Sequence, residues 1–489
     1  MSSTRFERII NPITVSVLLV AVLAVFYGLM LSEGTFNHGD EYLTLDRTHS
    51  FTIRDNWLSV YSENRPTFKK PPLQYWMGAL LLDAGVNTEV ALRLPSLFFA
   101  IGVLLLTGLL ARIILPENPW VTPIAILLMA CSKRFWENAT SALLDAGATF
   151  FAVSALTATY AAIRQPRWWY VVALACGLGA LQKAPIPVLF SLAALLGVVV
   201  TASRHDLPLG RSLKSPHFIL SLVIGLVLVL LWPAIQWLSY GSESFQQAYL
   251  DQIVERFSPF GEEMGHQRST YTLLVASEPF LRIPAFIALF WMPWRLHRME
   301  LVGLPAMIAL YALIVLGSSG IVSPRYSLMF LPVLMASLAV MVLAVLPDWR
   351  QQAAVVAVLC LASLGPLKTA GSLGISDSKQ AKLVAMMMDV GDALRPEETL
   401  LVCRKGEGRD PIHPGAVSFF SSAGRPFYRL RSAEHFQQLQ DSDTIRPPYR
   451  VLCGNTQFKS LSPLMAQIDV VETNKKYTHW TAARAPAGK

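Results

Sequence analysis

Long apolar runs, separated by short polar stretches, recur along the chain from its N-terminal region to about residue 370. A helix needs about 20 apolar residues to cross a bilayer. About eleven runs come near that length, which predicts a polytopic α-helical membrane protein with about 11–13 transmembrane helices. The runs lie near residues 13–31, 94–114, 119–132, 143–163, 168–182, 184–202, 217–238, 272–292, 300–317, 326–346 and 351–367.

Two long polar segments interrupt these runs, at about 32–93 and 239–271. Within the first, residues 72–84 are apolar but too few to cross a bilayer, so they predict an interfacial or re-entrant helix. From residue 371 a Gly/Ser-rich linker leads into short β-like runs (TLLVC, PFYRL, YRVLCG, DVVET) that alternate with helix-like ones. This pattern predicts a membrane domain at 1–370 and a small soluble α/β domain at 371–489.

Composition supports a membrane protein and gives its orientation. The 489 residues are 53% hydrophobic and 15% charged, whereas a soluble domain carries about 25% charged residues. Most loop Lys and Arg residues fall on one side if the N-terminus is cytoplasmic, as the positive-inside rule requires. An odd number of spans then places the tail and both long polar segments outside the cytoplasm. There, Cys403 and Cys453 could form a disulfide.

Two charged residues, Asp145 and Lys183, interrupt apolar runs. An ionisable group at mid-membrane costs at least about 2.5–3.5 kcal/mol on insertion scales, so such residues usually line a water-filled cavity. A structural ion pair between the two is the alternative interpretation. Because Pro185 follows closely, the backbone at Lys183 is expected to be irregular, which membranes tolerate where it lines protein or water.

On the predicted topology, several charged residues that are scattered in sequence share the outer side. Their mixed signs indicate a cavity that holds an anion beside a carboxylate. Each also has a plainer interpretation, since carboxylate pairs in loops are usually solvated and basic residues at helix ends often extend to the interface. The residues are Asp40, Glu41, Lys70, Asp145, Lys183, Glu255 and Arg325.

No His/Cys/Asp cluster with metal-ligand spacing and no Gly-rich phosphate loop is visible in the sequence. The residues therefore imply no cofactor, although they leave a divalent metal open. The excess of Lys and Arg is explained by membrane orientation and does not indicate nucleic acid as a partner.

Several segments together resemble the lipid-linked-sugar glycosyltransferases of the GT-C superfamily. The closest resemblance is to the bacterial 4-amino-4-deoxy-L-arabinose lipid A transferases and the related dolichyl-phosphate-mannose-protein mannosyltransferases (glycosyltransferase family 83-like). The resemblance covers roughly residues 1–370. It rests on Gly39-Asp40-Glu41, on KKPPLQYWMGALLLDAGVNTEVALRLPS, and on the shorter segments LLDAGATFF, LQKAP, VERF and SPRY.

This resemblance implies the GT-C fold and an inverting transfer of a pentose or hexose from a polyprenyl-phosphate (undecaprenyl-phosphate-type) carrier. The acceptor would be lipid A or lipopolysaccharide, a protein or a glycan, on the periplasmic face of a bacterial inner membrane. By position in the motifs, it implies catalytic roles for Asp40, Glu41 and Asp145. It implies donor-phosphate binding by Lys70, Lys183 and Arg325, and a substrate cavity lined by Tyr75, Arg93, Glu255 and Arg256.

A transporter or flippase for a lipid-linked sugar is the alternative from another class, because it too places charges in a membrane cavity. Transporters tend to bind near the midplane between repeated halves, and no internal repeat is visible here. A membrane-anchored scaffold for the tail would leave Asp145 and Lys183 unexplained.

Overall fold

The computed structural model describes residues 11–32, 39–54, 56–62, 65–201, 208–250, 278–316, 324–364, 395, 397–403, 427–430, 432–454, 462–464, 469–474 and 480–485. The chain divides into two compact units. The first unit comprises residues 1–31, 68–74 and 93–368, and the second comprises residues 32–67, 75–92 and 369–489. The predicted boundary near residue 370 remains a prediction.

Each of the eleven predicted spans contains a helix. The helices are α1 (Pro12–Leu29), α2 (Gly39–Arg54), α3 (Leu73–Asp83), α4 (Thr88–Ile114), α5 (Val121–Ala130), α6 (Lys133–Ala139), α7 (Asp145–Arg164), α8 (Trp169–Gln182), α9 (Ile186–Thr201), α10 (Leu209–Leu213), α11 (Pro216–Tyr240), α12 (Ser242–Phe245), α13 (Pro279–Arg295), α14 (Gly303–Leu316), α15 (Leu331–Val345), α16 (Trp349–Leu364) and α17 (Ala433–Asp441). Short 3-10 turns lie at Pro166–Trp168, Met299–Val302, Pro324–Phe330 and Ser462–Leu464, and Gln246–Leu250 forms a π-helical turn.

Within the described residues, five helical segments are long and apolar enough to cross a membrane. They are α1, α4, α7, α11 and the continuous stretch Arg325–Val345, and shorter apolar helices accompany them. The most apolar stretch of α7 is 83% buried, whereas those of α1 and α11 are 17% buried. Helix α7 therefore lies at the centre of the bundle, and the polytopic helical fold predicted from the sequence is confirmed.

Capping residues in the sequence determine where the two least buried spans, α1 and α11, begin. Asn11 accepts a hydrogen bond from the Thr14 amide at 2.7 Å, and Pro12 follows it as the first residue of α1. Ser215 and Pro216 begin α11 in the same way. Such caps satisfy amide groups that the helix leaves unpaired, and proline suits the first position because it has no amide hydrogen to satisfy.

Helices α9 and α14 cross at a pair of glycines. A β-carbon at Gly197 would lie 2.3 Å from the backbone nitrogen of Gly303. Only a residue without a side chain allows this approach, as is common where membrane helices pack closely.

The described part of the tail forms a five-stranded sheet with one helix against it, which confirms the predicted α/β character. The strands are β3 (Thr399–Cys403), β4 (Phe427–Leu430), β5 (Tyr449–Gly454), β6 (Asp469–Asn474) and β7 (Trp480–Ala485), after a hairpin of β1 (Tyr61–Ser62) and β2 (Arg65–Pro66). The order is β4-β3-β5-β7-β6. Strand β3 runs parallel to β4 and β5, whereas β7 is antiparallel to β5 and β6.

Phe436 of α17 is fully buried against the sheet residues Leu401, Leu430 and Val451. Cys453 of β5 is buried and disulfide-bonded, and Cys131, Cys176 and Cys360 are free. The pairing of Cys453 with Cys403 remains a prediction.

Candidate active site

The Asp145 carboxylate lies between two cationic side chains in the first unit. Lys183 Nζ lies 2.6 Å from Oδ1 of Asp145, and Nε of Arg325 lies 3.7 Å from Oδ2. The side chain of Asp145 is 3% exposed, that of Lys183 12% and that of Arg325 25%. Two positive charges and one negative charge leave a net positive cluster that remains partly accessible, so the ligand it favours is an anion.

Asp145 is held at the start of α7. Its neighbour Leu144 is the N-cap and offers no capping side chain, and a carboxylate in the first turn is favoured by the positive end of the helix dipole. Thr149 Oγ1 donates a hydrogen bond to the Asp145 carbonyl at 2.8 Å. The residue therefore has a fixed backbone as well as cationic partners.

Lys183 occupies a break between two helices, as the sequence predicts. Helix α8 ends at Gln182, and Lys183 has φ −153° and ψ −49°. Pro185 has no amide hydrogen and disfavours helical geometry for the residue before it, so α9 begins only at Ile186. The break turns the Lys183 side chain toward Asp145 instead of continuing the apolar helix.

Arg325 lies on the 3-10 turn Pro324–Phe330, which precedes α15. The next residue, Tyr326, places its ring centroid 5.2 Å from Lys183 Nζ, within the range of a cation–π interaction. Tyr311 of α14 donates a hydrogen bond to the Tyr326 carbonyl at 3.0 Å. The turn is thereby fixed to α14 and placed beside Lys183.

A second buried ion pair holds the same turn from α13. Arg282 Nη2 lies 3.0 Å from the Glu278 carboxylate and also donates to Ser327 Oγ at 3.0 Å. Glu278 in turn accepts a hydrogen bond from Ser132 Oγ at 3.0 Å. Both charged groups of the pair are buried and bonded, as burial of charge requires, and Ser327 lies two residues from Arg325.

A cavity of about 310 Å³ opens beside Lys183 in the first unit. Among the described residues that line it, Lys69 and Lys183 are cationic and none is acidic. Most of the wall is apolar, including Val229, Leu230, Trp232, Pro233 and Phe245. This combination suits an anionic group attached to a hydrocarbon chain.

Asp40 and Glu41 form the first turn of α2, in the second unit. Glu41 is buried and Asp40 is half-buried. In the same unit, Arg47 Nη1 donates a hydrogen bond to the Tyr75 hydroxyl at 2.9 Å. Burial raises the pKa of Tyr75, Arg47 opposes that shift, and the charge of Asp40 adds to it. The Tyr75 phenol therefore stays protonated near Asp40.

The other predicted site residues have different surroundings. Lys70 lies between Lys69 and Pro71, which both line the cavity. Arg93 is 3% exposed and donates to the Leu31 carbonyl at 2.8 Å, just beyond α1. These hydrogen bonds are of the kind that supporting residues form, and the roles of Arg93 and Tyr75 in a substrate cavity remain predictions.

Two predicted residues, Glu255 and Arg256, lie outside the described residues. Among the residues that the structure does describe, no group of three His, Cys, Asp or Glu side chains could hold a metal ion.

Sequence reasoning missed several polar residues beside the site. Each is a polar residue within or beside an apolar run, and four of the six also lie in the segments that carry the family resemblance. The missed residues are Lys69, Gln74, Ser96, Gln182, Glu278 and Arg282.

The family profile described as dolichyl-phosphate-mannose-protein mannosyltransferase matches residues 69–237, about a third of the chain. This stretch includes Lys70, Asp145 and Lys183. A comparison with curated protein sequences finds no match.

Solved structures share the fold over nearly the whole chain. ArnT from Cupriavidus metallidurans, bound to undecaprenyl phosphate, has a TM-score of 0.73 at 14% identity, with 97% of this chain and 99% of that chain covered. The oligosaccharyltransferase AglB from Archaeoglobus fulgidus, in complex with an inhibitory peptide and a dolichol-phosphate, has a TM-score of 0.58 at 12% identity, covering 90% and 70%. The arabinofuranosyltransferase AftD from Mycobacteria has a TM-score of 0.51 at 15% identity, covering 96% and 40%.

The chain thus has the GT-C fold and resembles the lipid-linked-sugar glycosyltransferases of that superfamily, as the sequence motifs predict.

Proposed function

We propose that this protein is an inverting glycosyltransferase that moves a sugar from a polyprenyl-phosphate carrier to an acceptor in the cell envelope. The observation that carries the proposal is the net positive cluster of Asp145, Lys183 and Arg325 beside an apolar cavity. The GT-C fold, shared with ArnT bound to undecaprenyl phosphate, supports the same carrier chemistry.

The carrier binds with its phosphate at Lys183 and Arg325 and its first isoprene units against the apolar wall formed by Val229, Leu230 and Trp232. Lys70, next to two residues of the cavity wall, adds a further cation to the phosphate site. Arg325 offers a fork of donors that matches phosphate oxygens. Asp145 holds both cations in place without cancelling their combined charge.

The reaction exchanges one bond at the anomeric carbon of the sugar. An acceptor oxygen attacks that carbon from the face opposite the phosphate, and the bond between the carbon and the phosphate oxygen breaks. Polyprenyl phosphate leaves with the bonding electron pair, and fixed cations stabilise the charge that develops on it. Asp40 accepts the proton of the attacking hydroxyl, and Glu41 supports it in the first turn of α2. If the acceptor is already an anion, Asp40 orients it instead.

The active site and tail face the periplasm of a bacterial inner membrane. The distribution of Lys and Arg among the loops supports this orientation, and the disulfide at Cys453 in the tail agrees with an oxidising compartment. The acceptor is an envelope molecule of the lipid A or lipopolysaccharide, protein or glycan class, and the sugar is a pentose or a hexose.

The test is a transfer assay with the full-length protein in lipid nanodiscs. Undecaprenyl-phosphate sugars are supplied with an envelope extract, and released undecaprenyl phosphate and glycosylated product are measured by mass spectrometry. The native protein should form both products in equal amounts. Asp40→Asn should lower turnover by about 10²–10⁴-fold, the usual contribution of a general base.

Asp83→Asn is the matched control, because Asp83 is an exposed aspartate in the same unit. It should keep native turnover. Full turnover by Asp40→Asn would remove the catalytic assignment. Movement of the intact lipid-linked sugar between leaflets, without cleavage, would identify a flippase and reject the transferase.

A further inference from the structure

A buried network of neutral polar groups lies directly behind the Asp145–Lys183 pair. Gln182 Nε2 donates to Gln74 Oε1 at 2.6 Å and to the Leu144 carbonyl at 3.2 Å. Gln74 Nε2 donates to Ser96 Oγ at 3.0 Å and to the Leu143 carbonyl at 3.1 Å. Ser96 Oγ donates to the same Leu143 carbonyl at 3.0 Å. All of these groups belong to the first unit.

The network is buried more deeply than the charges it adjoins. Gln182 and Ser96 are 0% exposed and Gln74 is 1% exposed. In the described part of the structure, Gln182 Oε1 has no hydrogen-bond partner. A buried acceptor without a partner lowers stability, so an apolar residue at position 182 would be the more stable choice if only packing mattered. A locally unfavourable residue of this kind is characteristic of functional positions.

The network reaches both members of the ion pair through the backbone. Leu144 immediately precedes Asp145, and Gln182 immediately precedes Lys183. The hydrogen bond from Gln182 to Leu144 therefore joins the start of α7 to the end of α8, one residue away from each charge. Gln74, four residues after Lys70, connects the Lys70 segment to the same point.

Space for this arrangement is made by Gly147. A β-carbon at Gly147 would lie 2.3 Å from Nε2 of Gln182 and 2.9 Å from the Phe99 ring. The sequence thus combines a glutamine, which must enter the interface of α7 and α8, with a glycine that leaves room for its amide.

We propose that Gln182 and Gln74 are positioning residues for carrier binding, which set the place of Lys183 relative to Asp145 and so shape the phosphate site. They act through Lys183 and touch neither the carrier nor the sugar. This inference rests on the proposed function, because it assumes that Lys183 binds the phosphate of a polyprenyl carrier.

The test is a double-mutant cycle on the dissociation constant for undecaprenyl phosphate, measured with full-length protein in nanodiscs. The variants are Gln182→Met, Gln74→Met and Lys183→Met, and each glutamine change combined with Lys183→Met. Methionine keeps the length of glutamine but forms no such hydrogen bonds. Each single glutamine change should weaken binding by about tenfold, as expected for a misplaced charged contact. In the Lys183→Met background the same changes should alter binding by less than about twofold.

Thr159→Val is the structural control, because Thr159 is equally buried in α7 and bonds to Ser191 Oγ at 2.5 Å. It should lower the melting temperature and leave the dissociation constant unchanged. If Gln182→Met does not fold, Gln74→Met carries the test, because position 74 is remote from Lys183 in sequence.

Native affinity in both glutamine variants would overturn the inference. So would double variants in which each glutamine change weakens binding by the same factor as it does in the native background. A wild-type protein that binds no undecaprenyl phosphate would overturn the proposed function and the inference together. Wild-type binding with unaffected glutamine variants would overturn only the inference.

Discussion

Gly147 of α7 lies against the Gln182 amide of α8 so closely that a β-carbon at position 147 would come within 2.5 Å of both Nε2 and Cδ of that side chain. The amide is buried, and it donates one hydrogen bond to the Leu144 carbonyl, just before Asp145, and another to the Gln74 side chain. The first of these joins the backbone before Asp145 to the residue before Lys183. The absence of a side chain at one position therefore determines how the charges of the site are held.

Replacing Gly147 by alanine should displace the Gln182 amide. We expect overpacking to destabilise the protein by about 1–3 kcal/mol. Carrier affinity should fall as well, because the hydrogen bonds to Gln74 and Leu144 would be lost. Melting temperature and the dissociation constant for undecaprenyl phosphate measure the two effects.

Gly28→Ala is the matched control for this change. A β-carbon at Gly28 in α1 would meet only Leu97, at 4.0 Å, and alanine is the better helix former by about 1 kcal/mol. Gly28→Ala should therefore keep or raise the melting temperature. Equal stability and affinity losses in the two variants would contradict the role assigned to Gly147.

Removing one partner of the Asp145–Lys183 pair should cost stability as well as activity. Lys183→Met leaves the buried Asp145 carboxylate with only the longer contact to Arg325, and breaking a buried pair costs about 3–5 kcal/mol. Adding Asp145→Asn removes the uncompensated charge, so the double variant should recover most of the melting temperature. Carrier binding should stay lost, because no lysine is restored. Recovery of binding in the double variant would show that Lys183 does not contact the phosphate.

Acid should destabilise the second unit through His49 of α2. Burial lowers the pKa of His49 to about 4, below its ordinary value of 6.5. Between these values the unfolded chain binds more protons at His49 than the folded chain does. The stability that His49 contributes is therefore fully present above pH 6.5 and is lost as the pH drops toward 4. At pH 5 this loss should reach about 2 kcal/mol.

Thermal unfolding of the full-length protein at pH 7.5 and pH 5 measures the effect. His49→Gln carries no titrating group at this position, and it should show a smaller difference between the two pH values. The same pH dependence in both proteins would assign the acid sensitivity to other groups.

Arg282→Met should be among the more destabilising single changes in the first unit. It leaves the Glu278 carboxylate buried without its ion-pair partner and removes the donor to Ser327. The expected loss is about 3–5 kcal/mol, seen as a lower melting temperature. A Glu278→Gln/Arg282→Met double variant should be closer to the native protein. If the double variant is no more stable than the single one, charge burial is not the cause.

The helical part of the fold could be predicted from the sequence because the thickness of the bilayer sets a minimum length for every apolar span. Each predicted run contains a helix, but α15 begins at Leu331, five residues later than predicted. The preceding residues, which include Arg325, form a 3-10 turn instead. Strand β7 was not predicted, since Trp480–Ala485 has only weak strand character by itself and pairs with β5 and β6.

In the candidate site, Asp145 and Lys183 could be identified because charge in an apolar run is costly. Direct contact between them was one of two interpretations, and in the structure Lys183 Nζ lies 2.6 Å from Oδ1 of Asp145. The glutamines behind them could not be identified, because a neutral amide in an apolar run carries a weaker signal. The Gln74–Gln182 bond also spans 108 positions in sequence, a separation that no local pattern reveals.

The attachment of Arg282 to the turn that carries Arg325 connects the proposed phosphate site to helix α13. Helix α13 exposes an apolar stripe along one side, formed by Phe280, Ile283, Ile287, Phe290 and Trp294. Hydrophobic mismatch tilts such helices in bilayers of different thickness. A tilt of α13 would move Ser327 and, two residues away, the guanidinium of Arg325. Carrier affinity would then vary with the acyl-chain length of the host membrane, which would make the bilayer itself a regulator of turnover.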